Sequence, residues 1–351
     1  MRKTMKISIG HHTISDKHPV CFVAEVGAFF NKDIGLAKEY LDLASQAGVD
    51  VFKTEILHTA DVVLAGSDAS FSYKTEAGLI EENYRAFIER KVVPLKHYAQ
   101  LFEHGRKSGM PLMATVFDTI GVDFLVEQKA AAIKISRNNI NHEPLIRYAA
   151  QSGLPIIFDM GDVPIWKAQR ALCWVYNEGG NAMFNHHPVK NPASPEDHNL
   201  ILIQWLKNVL KTPVGLSCHY KGDEILYAAI GAGVNLVEKG VDIDPERDEA
   251  DLISAAAFSE LSTIVSKCKS CSAAIGGDKL NVNEERLDNV RTGMAAKEDI
   301  YIGEELSFDK VTFAWPPIGI SPDNWRVIEG KKLKKDIKKG QPIKWEDIIG
   351  D

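Results

Sequence analysis

Charged or metal-competent side chains fall at the ends of successive apolar, β-branched runs: Glu25, Lys53, Lys134, His186, His219 and Glu238. A lysine inside a mostly apolar strand is costly unless its amine meets an anion or water. Lys53 and Lys134, with Thr115 at a third run's end and Ser136 close to Lys134, have the composition to hold phosphate and carboxylate oxygens. The alternative for both lysines is snorkelling, or buried ion pairs with Glu25 and Glu55. His186 and His219 add imidazoles that neighbouring strands would bring to one divalent cation, although their spacing matches no compact metal motif and His187 and His198 compete locally. Cys218 reads as a core or supporting residue, because a thiolate ligand would favour zinc over a harder ion. These residues span more than 200 positions. They make one site for an anionic substrate and a divalent cation only if their strands are staves of one barrel.

The elements that would do this are visible. Eight runs precede residue 240: Val20–Val26, Val49–Thr54, Met110–Thr115, Ala131–Ile135, Pro155–Phe158, Ala182–Asn185, Pro213–Ser217 and Val234–Val237. Several are short and continuously apolar, the pattern of parallel strands buried on both faces. Helical spacing lies between them, at Leu36 to Ala44 before Gly48, Tyr98 to Ser108 before Gly109, Val122–Val126, Leu145–Ala150, Leu200–Leu210, Asp223–Ala232 and Glu249–Ser266. Strand and helix alternating about eight times predict a (β/α)8 barrel of the TIM type. No glycine-rich nucleotide fingerprint follows the first run, which weighs against an open dinucleotide-binding sheet. Met5–Ile9 and His12–Ile14 predict an N-terminal hairpin at the barrel's far end. The stretch His58–Ser72, followed by a helical pattern over Glu76–Glu89, predicts a substrate-covering excursion.

Character changes near residue 267. The barrel domain is expected over 1–266, a linker over 267–287 and a small β-rich domain over 288–351. A duplication with an offset of 37 residues marks that tail: Lys297-Glu298-Asp299-Ile300 with Gly303 and Leu306, then Lys334-Lys335-Asp336-Ile337 with Gly340 and Ile343.

Composition narrows the partners. With 41 basic against 48 acidic residues the formal charge is -7, so no overall positive field points to nucleic acid or an anionic membrane. No run approaches the ~20 apolar residues of a membrane span, and no signal-peptide pattern follows Met1, so the cytoplasm is the expected location. The cysteines number five and form no even disulfide framework, and Cys268-x-x-Cys271 lacks a second pair for structural zinc.

Several segments in one order carry a family resemblance: Ala24-Glu25-Val26-Gly27 before Asn31, Val51-Phe52-Lys53-Thr54-Glu55, Ala114-Thr115-Val116-Phe117-Asp118 and Lys134-Ile135-Ser136. Pro195-Glu196-Asp197, Pro213-Val214-Gly215-Leu216-Ser217-Cys218-His219 and Val237-Glu238-Lys239 continue it, and Ala295 to Ile300 with Pro317 to Pro322 complete it. The chain resembles the sialic acid (N-acylneuraminate) synthase family and its spore-coat-polysaccharide relatives over nearly its full length. The resemblance implies a metal-dependent condensation of phosphoenolpyruvate with an N-acylated amino sugar or related aldose, giving a 2-keto sugar acid. It implies manganese or magnesium on His186 and His219, and phosphoenolpyruvate on Lys53, Thr115, Lys134 and Ser136, with Ser217 nearby. It gives Glu25, Lys53 and Glu238 catalytic roles, and places Asp159, Ser217 and Arg291 among the substrate-binding residues. It also implies a homodimer in which an antifreeze-like (SAF) tail covers the partner's barrel mouth, with Arg291 reaching in.

The chain departs from the family pattern at Phe29-Phe30, where a polar pair is expected, and at Asp159, where a small hydroxyl residue would face substrate. It departs again at Cys218 and Gly240. These changes keep two other readings open: a sugar- or sugar-acid-binding protein without turnover, and a lyase or aldolase for another acceptor.

Overall fold

The structure, a computed structural model, describes residues 6–276 and 292–350. The chain divides into two compact units, Met1–Gly277 and Asp278–Asp351.

In the first unit the continuous apolar runs become staves: β3 (Cys21–Glu25), β4 (Val51–Glu55), β7 (Leu112–Thr115), β8 (Ala132–Ile135), β9 (Ile156–Asp159), β10 (Ala182–His186), β11 (Val214–Cys218) and β12 (Leu236–Asp242). All pair in parallel in that order, and β12 bonds to both β11 and β3, which closes the cylinder. The expected (β/α)8 barrel is therefore present. Closure leaves none of these eight strands as an edge, so each is covered on both faces.

The helices are α1 (Ile34–Gln46), α2 (Tyr84–Glu89), α3 (Leu95–Ser108), α4 (Thr119–Glu127), α5 (Glu143–Gln151), α6 (Ile165–Asn177), α7 (Leu202–Leu210), α8 (Glu224–Gly231) and α9 (Phe258–Ile275). Their apolar stripes pack on the outward faces of the staves, so Tyr40, Leu41, Tyr98, Phe102 and Phe124 share one core with Phe22, Phe52 and Phe158. Each such side chain contributes about 1.5–3 kcal/mol by leaving water. Asp33 and Asp118 start α1 and α4 by accepting the backbone N–H of Leu36 and Gly121.

Inside the barrel, Val23, Val51, Met113, Ala132, Ile157, Met183 and Leu236 form a separate apolar cluster with Ile7, Ile9 and Ile14. The isoleucines come from the hairpin β1 (Ile7–Ile9) and β2 (His12–Ile14), whose antiparallel pairing presents all three to the barrel floor.

Two stretches differ from the sequence pattern. Residues 76–83, expected to start a helix, belong to a hairpin of β5 (Ser70–Thr75) and β6 (Gly78–Asn83), and only Tyr84–Glu89 is helical. Gly78 explains the break: its φ of +133° belongs to a region that side chains disfavour, and it turns the chain back. Residues 249–257 hold a 3-10 turn and the short β13 (Ala256–Ala257), so the last helix starts at Phe258 and continues through Ile275. Cys268 thus lies in the core against the barrel instead of in a linker.

In the second unit β14 (Gly293–Ala296) pairs antiparallel with β15 (Val311–Ala314). The 37-residue repeat folds onto itself. Ile300 and its equivalent Ile337 exchange both backbone hydrogen bonds, at 2.9 and 2.8 Å. The amides of Gly303 and Gly340 donate to Leu333 and Ala296, which are themselves one repeat apart. Met294, Ile300, Leu306, Leu333, Ile337 and Ile343 fill the core between the copies.

Candidate functional site

Side chains alternate across a strand, so every second residue of a stave points into the cylinder. Two residues beyond the apolar floor, the same strands present Glu25, Lys53, Thr115, Lys134, Asp159, Asn185 and Glu238, joined by Ser217 of β11. Polar side chains occupy all eight positions of this layer.

Seven of these side chains, all but Thr115, form one connected network. Lys53 Nζ lies 3.1 Å from Glu25 and 3.3 Å from Glu238. Lys134 Nζ lies 2.5 Å from Glu238 and 3.0 Å from Asp159. It also donates to Ser217 Oγ at 3.2 Å, and that hydroxyl donates to Asp159 at 3.1 Å. Asn185 Nδ2 reaches Ser217 and Glu238 at 3.2 and 3.3 Å. Burial by itself would push Glu238 up, but the ammonium groups of Lys134 and Lys53 outweigh it and hold the carboxyl down to about 2. Burial likewise opposes the charge on Lys53, yet Glu238 and Glu25 dominate and raise it above the usual lysine range. Glu25 moves the other way: burial, reinforced by Glu238, raises it against the pull of Lys53. Its proton affinity is thus set apart from that of Glu238 within one network.

One further step toward the carboxyl ends of the strands come Glu55, Ser136, His187 and His219. The rings of His187 and His219 stand with centroids 4.5 Å apart. Burial lowers the pKa of both, which leaves neutral imidazoles with lone pairs to offer. His187 Nδ1 contacts the Pro188 carbonyl at 2.5 Å, so Nε2 is its free nitrogen, and His219 Nδ1 is buried with no partner among the described residues. Their loops are joined where the Ala193 amide donates to the His219 carbonyl at 2.8 Å. Lys239, buried on the outer face of β12, fixes the second loop by donating to the carbonyls of Tyr220 and Gly222.

The structure thus brings together Glu25, Lys53, Thr115, Lys134, Asp159, Ser217, Glu238 and His219, with Ser136 at the rim. His186 does not join them. As the neighbour of inward-facing Asn185 it points out of the cylinder, where Nε2 contacts the His198 carbonyl at 2.5 Å and His198 in turn approaches Cys218 Sγ at 3.8 Å. Strand alternation puts His187 opposite His219 in its place. Arg291 lies outside the described residues. Of the departures, Phe30 is buried in the core, while Phe29 lines a cavity of about 660 Å³ at the mouth. Asp159 faces Lys134 and Ser217 instead of confronting a substrate anion alone.

Two imidazoles fit an open divalent-cation site, the buried unpaired Nδ1 of His219 being the observation that favours it. Among the described residues no group of three or more His, Cys, Asp or Glu side chains converges. The pair would therefore supply two ligands to such a cation, and water or substrate oxygens the others.

Residue type alone gives no site role to Asn185, Glu55, His187 or Lys239, beyond an ion pair for Glu55 and local competition with His186 for His187. Counting by twos from Met183 and Gly215 on the barrel floor would have found the first and third, since it makes 185, 187, 217 and 219 the inward positions.

The comparisons agree with this fold. The sequence model of the NeuB family matches residues 40–279, and that of the SAF domain matches residues 291–349. An uncharacterized protein of Methanocaldococcus jannaschii is 29% identical over 350 residues, 99% of each chain. The N,N'-diacetyllegionaminic acid synthase of Legionella pneumophila is 26% identical over 337 residues, 93% of this chain and 94% of the relative. Among solved structures, the N-acetylneuraminic acid (sialic acid) synthetase of Leptospira borgpetersenii superposes with a TM-score of 0.72 at 24% identity, covering 82% of this chain and 95% of that one. Among the described residues no helix is long and apolar enough to cross a membrane.

Proposed function

Because this chain belongs to the NeuB family and carries a SAF domain at its carboxyl end, we propose that it is a synthase joining phosphoenolpyruvate to an amino sugar or related aldose to form a 2-keto sugar acid. The observation that carries the reading is the inward layer in which Lys53 and Lys134 share Glu238 directly beneath the His187 and His219 pair. In the reaction the enol carbon of phosphoenolpyruvate attacks the aldehyde carbon, whose oxygen takes up a proton. Water adds to the carbon bearing the phosphate ester, and phosphate leaves as the keto group forms.

Lys53 and Lys134 neutralise the phosphate and carboxylate, and the hydroxyls of Thr115, Ser136 and Ser217 donate to their oxygens. Glu238, kept ionised, holds both ammonium groups in place. Glu25, with its raised proton affinity, takes the proton from water. Asp159 orients Lys134 and Ser217. His187 and His219 would hold a divalent cation, manganese or magnesium, which when bound polarises the aldehyde oxygen. The proposal includes a cytoplasmic homodimer in which Arg291 reaches the partner's mouth, and a monomer by light scattering at micromolar concentration would count against that part.

The test is phosphate release from phosphoenolpyruvate with manganese and a panel of amino sugars, with the keto acid identified by mass spectrometry. Stoichiometric phosphate and keto acid support the reading, and neither product across the panel overturns it. One observation favours a second reading, a sugar-acid-binding protein without turnover: both lysines already have carboxylate partners. Tight sugar-acid binding with no metal dependence and no phosphate release would select it.

A further inference from the structure

Two rows of side chains cross from β10 to β11. Inside the cylinder His187 faces His219, with ring centroids 4.5 Å apart. One residue earlier in each case stand His186 and Cys218, which strand alternation turns outward, and Cys218 lies in the core between staves and helices. His198, fully buried, joins this outer row. Its Nδ1 lies 2.8 Å from the Ser194 carbonyl. A carbonyl only accepts, so Nδ1 carries the proton and Nε2 keeps a lone pair, which the Cys218 thiol meets as a donor at 3.8 Å. By the same reasoning His186 Nε2 is protonated, since it contacts the His198 carbonyl at 2.5 Å.

The segment from His187 to His198 is thereby pinned to β11 twice. The Ala193 amide donates to the carbonyl of His219 itself at 2.8 Å, and His198 is held by Cys218. Ser194 is fixed in turn by Asp197, which accepts from its amide and its hydroxyl, each at 2.9 Å. Every pin therefore acts on an inward imidazole residue or on its immediate neighbour. Apolar side chains would fill this space as well, but they would not fix direction, and hydrogen bonds do.

We propose that His186, His198 and Cys218 are positioning residues, an outward hydrogen-bonded chain that sets the separation and orientation of the inward His187 and His219 imidazoles. The inference rests on the reading of that pair as ligands of a divalent cation, and goes beyond it by naming what holds the two in register.

The test compares manganese binding to the full chain, followed by electron paramagnetic resonance, across C218S, C218A, H198A and the C218A/H198A double variant. Serine and alanine both lose the bulk of the sulfur, but serine keeps a donor toward His198, which separates positioning from packing. C218A and H198A should each weaken manganese binding about fivefold, the worth of one ordinary hydrogen bond, while C218S stays within about a factor of two of the parent. The double variant should lose little more than either single one, because both changes cut the same link. Parental affinity in C218A, a loss in C218S as large as in C218A, or full additivity in the double variant overturns the proposal. If the parent binds no manganese, the cation reading fails, and hydrogen exchange at the Ala193 amide still decides the outer chain. Faster exchange in C218A and H198A with parental exchange in C218S supports it, and unchanged exchange in C218A overturns it.

Discussion

The two ends of the barrel are built from the same strands and differ by a step of two residues. At one end Val23, Val51, Met113, Ala132, Ile157, Met183 and Leu236 pack against the isoleucines of the hairpin. At the next layer every inward side chain is polar, with two lysines and three carboxylates in direct contact. The floor gains stability from burial, while the ionic layer spends desolvation energy that its own pairings offset only in part. The difference teaches where this molecule gives up stability for chemistry. The division follows the general asymmetry of such barrels, whose active sites gather at the carboxyl ends of the strands.

The largest expected effect breaks the ionic layer. Lys134→Met leaves Glu238 and Asp159 without their shared cation and should cost about 3–5 kcal/mol in denaturant unfolding while abolishing phosphate release. Replacing Asp159 and Glu238 by leucine in the same chain should recover most of that stability without recovering activity. A Lys134→Met protein as stable as the parent would erase the contrast between the two ends.

On the floor, Ile157→Ala should cost about 2–5 kcal/mol through the cavity it leaves. KM for phosphoenolpyruvate should stay within about a factor of two, since a packing loss one layer down does not alter phosphate contacts. A comparable loss in substrate affinity would show that the two layers are mechanically coupled.

A smaller effect tests the alternation itself. His187→Ala should weaken manganese binding, followed by electron paramagnetic resonance, by about tenfold or more. His186→Ala should change it less, because that ring faces outward. The reverse ranking would refute the inward assignment of His187.

The smallest effects are in pH. Glu238 is held down to about 2, so its contribution is present above the unfolded carboxyl value near 4.5 and is lost as pH falls from there toward 2. Glu55 has the opposite sign. Its value near 7 exceeds the unfolded one, so its contribution is present below about 4.5 and lost as pH rises through about 7. Unfolding titrations of E238Q and E55Q should therefore flatten the stability profile in different windows, the acidic one and the near-neutral one. Identical profiles for the two variants would contradict the assignment.

Much of the barrel was legible because a parallel stave buried on both faces leaves a short, continuous apolar run, and seven of the helices left stripes of apolar residues. The helix α6 carries an equally regular stripe of Ala168, Ala171, Leu172 and Val175, but its exposed Trp166 and Tyr176 blur the contrast between its faces in the sequence. The β5 and β6 hairpin failed for another reason: its apolar residues pack on a small local cluster, and Phe71, Tyr73 and Phe87 fit helical or strand spacing until Gly78 fixes the turn. In the site, residue type identified Lys53, Lys134 and Glu238, because charges inside apolar runs are costly. His186 and His187 could not be told apart that way. Adjacent histidines carry the same chemistry, and only the phase of the strand says which one faces in. By type Glu55 reads as an ion-pair partner for a lysine, whereas Lys53 turns to Glu25 and Glu238 instead.

The tail offers a last consequence. Each copy of its repeat relies on the other for its hydrogen bonds: Gly303 donates to Leu333 while Gly340 donates to Ala296, and Ile300 and Ile337 exchange theirs. Neither half has a complete backbone of its own, so a single copy cannot be an independent folding unit. A chain cut between the copies should lose the whole domain cooperatively. Because the halves are interchangeable in form, the same exchange of strands between two molecules would cost little in contacts, which makes the repeat a natural place for domain swapping.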